Sequence, residues 1–517
     1  MGARALLLAL DAADKDLIAR WAASGHLSTF RALESQALHG VVENPFALYV
    51  GAIWPSFFTG VSPARHGRYS FSQLVPGSYR TRDLLRHDVR GAPFWSLLSA
   101  AGRRVAVIDM PKAPPGPPLA DGIAVVDWGL HETELDGGLW TSPPSLASEI
   151  LARYGPDPVG RCDLIQGRRE EYERIRDRLL ARIEIKARMI RDVLREGEWD
   201  LVLGGFADTH CAGHQLWHLH AAAGDGADAL RDVYAAADRA VGDLLREAGG
   251  DACCIVLASH GIGPYRGGNK ILDDVLRALD RPAAGPSARR RALGAARALW
   301  KLAPVGVRRA LVTLRQRTWA RVQESVLRGE FAGRRCFAIP NNDAYGAIRI
   351  NLAGREPHGR VRPEDLDAVS AEIAAALAGV VDLDTGAPAV RRVVRASDHY
   401  ARGPMDDLPD LFVEWNGDRP IVRVRTPAGD VVEGYDPDYR TGDHRPEGAF
   451  WAVGPGIAPG PLPGPVSIMD FAPTLGAVLG VPLAGLDGRP IPGLGGAGAA
   501  AVCYGRGPSR PAPERSP

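Results

Sequence analysis

The sequence lacks a strong net charge and has no apolar run that approaches the length of a membrane-spanning helix. Its 517 residues include 62 basic and 61 acidic side chains, for a formal charge of +1. This balance gives no global electrostatic reason to expect a nucleic acid or an anionic membrane as partner. A membrane-crossing helix needs about 20 consecutive apolar residues, so we predict no transmembrane segment.

Cysteine is also scarce, and its spacing argues against two common frameworks. The six cysteines lie at positions 162, 211, 253, 254, 336 and 503, and no two of them form a Cys-x-x-Cys pair. Neither a zinc knuckle nor a disulfide framework is therefore indicated. The apolar run at the amino terminus stops at Asp11 and lacks a small-x-small cleavage site, so a buried strand explains it better than a signal peptide. We expect a cytoplasmic, reduced protein.

Strand and helix patterns alternate through the first half of the chain. Apolar runs such as Ala5–Leu10 and Cys253–Ala258 predict buried strands, and amphipathic stretches between them predict helices. This alternation is typical of an α/β fold with a doubly wound, mostly parallel sheet. Ligands of such folds bind beyond the carboxyl ends of the strands. Asp11, His210 and His260 each follow a predicted strand.

The pattern divides the chain into five parts. We predict a core α/β domain at 1–275, an inserted helical cap at 276–335, a smaller α/β element at 336–400, the returning core at 401–493 and a disordered Gly/Ala/Pro-rich tail at 494–517. The cap contains an arginine-rich stretch, 289–328. Arginine stems lying along apolar surface explain this composition, and an anionic-substrate lid or a membrane-surface contact are the alternatives. The returning core is expected to include Leu411–Trp415 and Ala449–Val453.

One segment carries the most specific signal. Residues 54–67 read WPSFFTGVSPARHG, a Thr-Gly-x-x-Pro-x-x-His-Gly run downstream of a strand that ends in Leu10-Asp11. This pattern resembles the alkaline phosphatase superfamily, and within it the type I phosphodiesterase/nucleotide pyrophosphatase branch. Further matches follow in the family's order, including Ser259-His-Gly261 and His444-Arg-Pro-Glu-Gly448. The shared order argues against chance agreement.

The resemblance implies an alkaline phosphatase-like fold and a Thr or Ser nucleophile, but this chain has Val50 at the nucleophile position. In the family, a proline often follows two residues after the nucleophile. If Pro55 is aligned with that proline, the nucleophile position falls on Ile53 instead. Neither side chain can attack phosphorus. We therefore expect no family-type covalent phosphoenzyme, and the catalytic residue stays unknown.

The resemblance also implies two metal sites, of which the first is altered. It corresponds to His210, His214 and His444, with His210 standing where the family has Asp. Residues i and i+4 share a helix face, so His210 and His214 can point at one ion. Three histidines with an open fourth position form a recognised catalytic zinc geometry. Asp208 is an alternative to His210 as a ligand of this site. Asp443 is expected to orient the His444 imidazole.

The second implied site is incomplete. Asp11 and His260 remain as metal ligands, but Ser259 stands where the family has Asp, and Val50 replaces the nucleophile. One carboxylate and one imidazole give a dication too few ligands and too little negative charge. A capping role in the following helix explains Asp11 equally well, and Ser259 fits a small turn residue. We expect about one ion per chain, and we expect all five metal-ligand candidates to converge at one edge of the sheet.

These observations predict a divergent metal-dependent hydrolase of phosphate esters, with phosphodiesters or nucleotides as substrates. The expected cofactor is a divalent metal, zinc, and the expected attack is by metal-bound hydroxide. The partner would be a small-molecule phosphate ester. A second interpretation is a catalytically inactive relative that binds a phosphorylated ligand or a protein partner. Loss of the nucleophile and of one metal carboxylate favours this alternative, whereas the three-histidine cluster argues against it.

Overall fold

The computed structural model describes residues 2–83, 88–129, 138–160, 162, 168–223, 228–280, 307, 333–342, 344–401, 407–417, 419–434 and 440–495. Apart from residue 307, the predicted arginine-rich stretch at 289–328 lies outside the described residues. So does the predicted tail from residue 496 onward. No helix in the described part of the chain is long and apolar enough to cross a membrane.

The helices are short except for one that spans 28 residues. They are α1 (Lys15–Ala23), α2 (Ser28–Gln36), α3 (Tyr49–Thr59), α4 (Pro63–His66), α5 (Phe94–Ala100), α6 (Leu146–Tyr154), α7 (Arg169–Glu196), α8 (Asp208–Ala223), α9 (Ala229–Ala248), α10 (Asn269–Asp280), α11 (Leu366–Ala378) and α12 (Phe471–Val478). Single turns of 3-10 helix occur at Pro363–Asp365, Ala396–Asp398 and Ile468–Asp470.

The strands are distributed along the whole described chain. They are β1 (Gly2–Leu10), β2 (Leu38–Glu43), β3 (Ser72–Leu74), β4 (Thr81–Asp83), β5 (Val105–Ile108), β6 (Gly122–Val126), β7 (Trp140–Ser142), β8 (Glu198–Phe206), β9 (Cys253–Ala258), β10 (Gly261–Pro264), β11 (Cys336–Ile339), β12 (Tyr345–Ile350), β13 (Val381–Asp382), β14 (Val390–Arg395), β15 (Leu411–Trp415), β16 (Arg423–Arg425), β17 (Val431–Glu433), β18 (Gly442–Arg445), β19 (Gly448–Val453), β20 (Gly460–Pro461) and β21 (Val466–Ser467).

Ten strands form a central sheet in the order β20-β2-β19-β9-β1-β8-β5-β6-β7, with β21 also paired to β2. The five central strands, from β9 to β6, run parallel to one another. Strands β19 and β7 are antiparallel to their neighbours. The fold is therefore the mixed α/β architecture with a mostly parallel sheet that the sequence predicts.

Both faces of the central sheet are buried. Leu6 and Leu8 of β1 belong to the apolar core that includes side chains of α7, α8 and α9. Leu7 and Ala9, which alternate with them, belong to a second core that includes α3 and α12. A strand covered on both faces must be apolar at every position, which explains the unbroken run at the start of the chain.

A smaller sheet of four antiparallel strands, in the order β11-β12-β15-β14, packs with α10 and α11 around a third core. Residues Leu411–Trp415, which we assign from the sequence to the returning core, form β15 of this smaller sheet. A short buried strand has the same apolar pattern in either sheet, so the pattern does not identify its partners. Residues Ala449–Val453 do join the central sheet, within β19.

Candidate metal centre

The candidate site lies at the carboxyl edge of the central sheet. Asp11 follows β1 directly, α8 begins two residues after β8 ends, and His260 follows β9. A ribbon of β10 and β18 pairs Ile262 with His444 and so brings the distant histidine to the same edge. The parallel strands thus collect residues from widely separated parts of the sequence, as expected for ligand sites in doubly wound sheets.

Helix α8 positions two of the histidines on one face. His210 and His214 are one turn apart, and both are buried. The His214 Nδ1 lies 2.8 Å from the carbonyl oxygen of Gly442. Because a carbonyl can only accept, Nδ1 carries the proton, and Nε2 of His214 presents a lone pair. The neighbouring strand β18 therefore fixes both the orientation and the tautomer of this imidazole.

Three imidazole nitrogens converge at one point. The Nε2 of His214 lies 3.1 Å from Nε2 of His210 and 3.2 Å from Nε2 of His444. These three residues form the cluster of potential metal ligands found among the described residues. Tetrahedral zinc bonds of about 2.0–2.1 Å place neighbouring nitrogens about 3.3 Å apart. The spacing fits a divalent ion, which would also relieve the crowding of three facing nitrogens.

Burial disfavours the charged form of two imidazoles of the site, those of His444 and His260. Burial lowers the pKa of His444 well below its usual value, and the neighbouring His214, His260 and His210 lower it further. The His444 Nδ1 lies 2.8 Å from Nε2 of His260. Burial likewise lowers the pKa of His260 to about 3. Neutral imidazole is the form that binds a metal ion.

Asp11 lies beside the histidines but is engaged by protein donors. Its Oδ1 accepts hydrogen bonds from the indole Nε1 of Trp54 at 2.9 Å and from Oγ of Ser259 at 3.3 Å. Its Oδ2 is 3.8 Å from Nδ1 of His210. Burial alone would raise the pKa of Asp11, but the nearby His210 and His260 and the Trp54 hydrogen bond lower it. The cap of α1 is Asp14 rather than Asp11, which removes the capping interpretation of Asp11.

Ser259 contacts both residues that the sequence predicts as ligands of a second metal site. Besides its bond to Asp11, its Oγ lies 2.9 Å from Nδ1 of His260. The Ser259 hydroxyl thus lies between the carboxylate of Asp11 and the imidazole of His260. Its side chain belongs to the site and does more than shape a turn.

The first turn of α3 faces the site without an attacking group. Val50 is half-buried, and its carbonyl oxygen accepts a 3.0 Å hydrogen bond from Nζ of Lys112. The Tyr49 hydroxyl is buried and donates to the carbonyl oxygen of His444 at 3.2 Å. Ile53, the other candidate for the nucleophile position, is fully buried in the apolar core. A Cβ at Gly51 would lie 2.2 Å from the Tyr69 carbonyl oxygen, so α3 contacts the 69–70 backbone there.

Two acids that the sequence analysis places near the ligands have other contacts. Asp208 pairs with Arg182 of α7 at 2.6 Å, and both side chains are fully buried. The Asp443 Oδ1 accepts from the backbone N–H of His444 at 2.8 Å. The ring of His444 instead contacts His260 and His214. Asp208 therefore anchors the start of α8 to α7, and Asp443 orients the backbone of β18.

Three residues of the site region escaped the sequence analysis. Trp54 lies inside the most specific motif, and Lys112 follows an apolar, strand-like run. Both positions could therefore have been placed near the site from the sequence. Arg182 lies in the highly charged helix α7, yet the residue is buried. Pairing across such distances along the chain leaves no trace in local periodicity.

Comparisons with known proteins agree with this architecture. The family model for type I phosphodiesterase / nucleotide pyrophosphatase matches residues 5–436. Phosphonoacetate hydrolase from Sinorhizobium meliloti 1021, solved with phosphonoacetate, is 14% identical, with a TM-score of 0.53 over 92% of this chain and 96% of that chain. Murine ectonucleotide pyrophosphatase/phosphodiesterase 5 is 12% identical, with a TM-score of 0.46 over 94% of this chain and 97% of that chain. No curated protein sequence matches the chain. The likeness to the hydrolase is one of fold.

Proposed function

The chain belongs to the type I phosphodiesterase/nucleotide pyrophosphatase family, and from this premise we propose that it is a hydrolase of phosphate esters with a single three-histidine metal centre. The family consists of phosphoric ester hydrolases that depend on divalent metals. Phosphodiesters or nucleotides are the proposed substrates. The cytoplasm is the proposed compartment, because the spacing of the six cysteines does not indicate a disulfide framework.

The convergence of the Nε2 atoms of His210, His214 and His444 is the observation that carries this proposal. Three imidazole nitrogen donors suit zinc, which is commonly four-coordinate and leaves an open position in catalytic sites. When bound there, such an ion supplies a Lewis acid for a phosphoryl oxygen and lowers the pKa of a bound water. The donor set and its spacing support zinc over the hard cations Mg²⁺ and Ca²⁺, which prefer oxygen ligands.

The protein residues around the cluster orient it. The Gly442 carbonyl fixes the tautomer of His214, and His260 contacts the other nitrogen of His444. The Oδ2 of Asp11 lies 3.8 Å from Nδ1 of His210. Val50 excludes a covalent phosphoenzyme at the family position. The proposed reaction is therefore a single displacement by water.

A metal and activity assay on the purified protein tests the proposal. Protein prepared without added metal should contain about one zinc per chain, measured by mass spectrometry of the metal. It should hydrolyse bis(p-nitrophenyl) phosphate, and dialysis against a chelator should abolish turnover until zinc is restored. Metal-free protein that neither takes up zinc nor turns over any aryl phosphate ester would refute the proposal.

The alternative of an inactive relative rests on two residues, Val50 and Ser259, which replace the family's nucleophile and one metal carboxylate. That alternative predicts binding of a phosphorylated ligand without turnover. Titration of the zinc-loaded protein with bis(p-nitrophenyl) phosphate, followed by calorimetry and by analysis of the products, separates the two cases. Binding with no product after prolonged incubation of the zinc-loaded protein would favour the inactive relative.

A further inference from the structure

Lys112 is a cation at the incomplete half of the site. It follows β5, which is parallel to β8 and through it to β1, so its loop lies at the same edge of the sheet as Asp11. The residue is half-buried. A cation at this edge is significant because the second metal site implied by the family lacks ligands in this chain. The positive charge of a second ion is then missing as well.

Two contacts position the ammonium group of Lys112. Its Nζ donates a 3.0 Å hydrogen bond to the carbonyl oxygen of Val50, the residue at the family's nucleophile position. It also lies 4.2 Å from the centre of the Phe71 ring, a cation–π contact. The ammonium group therefore lies at the start of α3, next to the residue that the sequence aligns with the family's nucleophile.

The loop that carries Lys112 has a strained backbone. Asp109 and Lys112 have φ angles of 54° and 55°, a left-handed conformation that non-glycine residues rarely adopt. The Asp109 carboxylate accepts hydrogen bonds from the backbone N–H groups of Trp128 and Gly129 and pairs with the buried Lys186 at 2.9 Å. These contacts hold the loop in a conformation that presents Lys112 at the site, and strain of this kind is concentrated at functional positions.

The residue type is unusual for this chain. Only five of its 62 basic residues are lysines. A lysine ammonium is a compact point charge, whereas the arginine guanidinium is a broad planar fork. A compact charge suits the contact with the carbonyl oxygen of Val50 at the start of α3.

We propose that Lys112 binds a phosphoryl oxygen of the substrate and supplies the positive charge that the missing second ion would provide. The inference rests on the proposed function and extends it to a second charged group. The phosphoryl group would then lie between the three-histidine centre and Lys112. Removing one such charge from a preorganised site typically lowers kcat by about 10²–10³.

The test compares Lys112→Gln with Lys112→Arg and with a matched control, Lys15→Gln. Glutamine retains an N–H donor for the Val50 carbonyl but carries no charge. Lys15 is also partly buried, and it pairs with Asp16 and Glu447. We expect Lys112→Gln to lower kcat/KM for bis(p-nitrophenyl) phosphate about 100-fold with unchanged zinc content, Lys112→Arg to retain part of the activity, and the control to match the wild type.

Binding of inorganic phosphate to the zinc-loaded protein, measured by calorimetry, separates the two proposals. If the wild type hydrolyses esters but Lys112→Gln retains both activity and phosphate affinity within about threefold, the inference fails and the proposed function stands. If the wild type hydrolyses nothing, the proposed function fails, and a tenfold or larger loss of phosphate affinity in Lys112→Gln still supports a phosphoryl-binding Lys112. Should Lys112→Gln not fold, Lys112→Met carries the same expectations.

Discussion

The indole N–H of Trp54 donates a 2.9 Å hydrogen bond to Oδ1 of Asp11. The hydroxyl of Ser259 lies 3.3 Å from the same oxygen. In the two-ion arrangement implied by the family, the first-strand Asp binds a metal; here two protein donors already contact one of its oxygens. Two neutral donors, an indole N–H and a hydroxyl, therefore orient the Asp11 carboxylate.

Trp54→Phe should destabilise the protein more than a comparable change elsewhere in the core. The substitution removes the donor to the ionised Asp11, and a hydrogen bond to a charged group contributes about 1.5–3 kcal/mol. Trp95→Phe is the matched control, because Trp95 is also buried and packs against Phe58 and Phe94. Urea unfolding measures the unfolding free energy of both variants. Equal losses of unfolding free energy would contradict a specific role for the indole N–H.

His214→Ala should abolish tight zinc binding. His214 is the central member of the cluster, since its Nε2 lies next to both other nitrogens. Metal content after gel filtration measures the effect. His218→Ala is the control, because His218 lies one turn further along α8 and packs against Tyr172. Zinc retained by His214→Ala, or lost equally from both variants, would refute the assignment.

Ser259→Asp should make stability depend on added metal. The new carboxylate would stand beside Asp11 in a buried site, and like charges at that distance repel strongly. We expect a lower Tm than the wild type in a chelator and recovery in excess zinc, because a second dication offsets the repulsion. A scan of Tm against zinc concentration measures this. A Tm that does not respond to zinc would show that the second site cannot be rebuilt from this position alone.

Combining Val50→Thr with Ser259→Asp should restore more zinc binding and more hydrolytic activity than either substitution does separately. The pair supplies the ligand types that the family uses, a hydroxyl and a carboxylate. We expect a second equivalent of bound zinc and a gain in hydrolysis of bis(p-nitrophenyl) phosphate that exceeds the sum of the single effects. Additive behaviour, with one zinc per chain throughout, would argue that Val50 does not occupy the nucleophile position.

His66 should contribute to a loss of stability in mild acid. Its Nδ1 accepts from the backbone N–H of Arg68, and its Nε2 lies 2.9 Å from Oγ of Ser56. Burial and then the charge of Arg68 lower its pKa to about 3, against about 6.5 when unfolded. The folded state therefore binds fewer protons, and the stabilisation present above pH 6.5 is lost as the pH falls toward 3.

The variant His66→Asn isolates this effect. Between pH 7.0 and 5.5 the wild type should lose about 1 kcal/mol more unfolding free energy than the variant, as expected for one titrating group. Urea unfolding at the two pH values provides the comparison, and any constant cost of the substitution cancels. Parallel pH dependences would show that the imidazole is not kept neutral in the folded protein.

The fold was accessible from the sequence because strands buried on both faces leave continuous apolar runs. Cys253–Ala258 is a strand at the predicted bounds, and the order of the motifs identified the residues that converge at the sheet edge. The same reasoning assigned Leu411–Trp415 to the wrong sheet, because strand partners are decided by tertiary packing. The contacts of Asp208 with Arg182 and of Asp11 with Trp54 join residues far apart in the sequence, so local patterns could not reveal them.

The contact between Gly51 and the backbone at Tyr69 limits how the chain could regain a nucleophile. A side chain at position 51 would collide with that backbone, so α3 cannot rotate about its axis or slide by one residue to bring a neighbouring position to the same place. If Val50 occupies the nucleophile position, laboratory evolution toward a covalent mechanism has to change residue 50. A library at position 51 would instead force α3 away from the backbone at Tyr69.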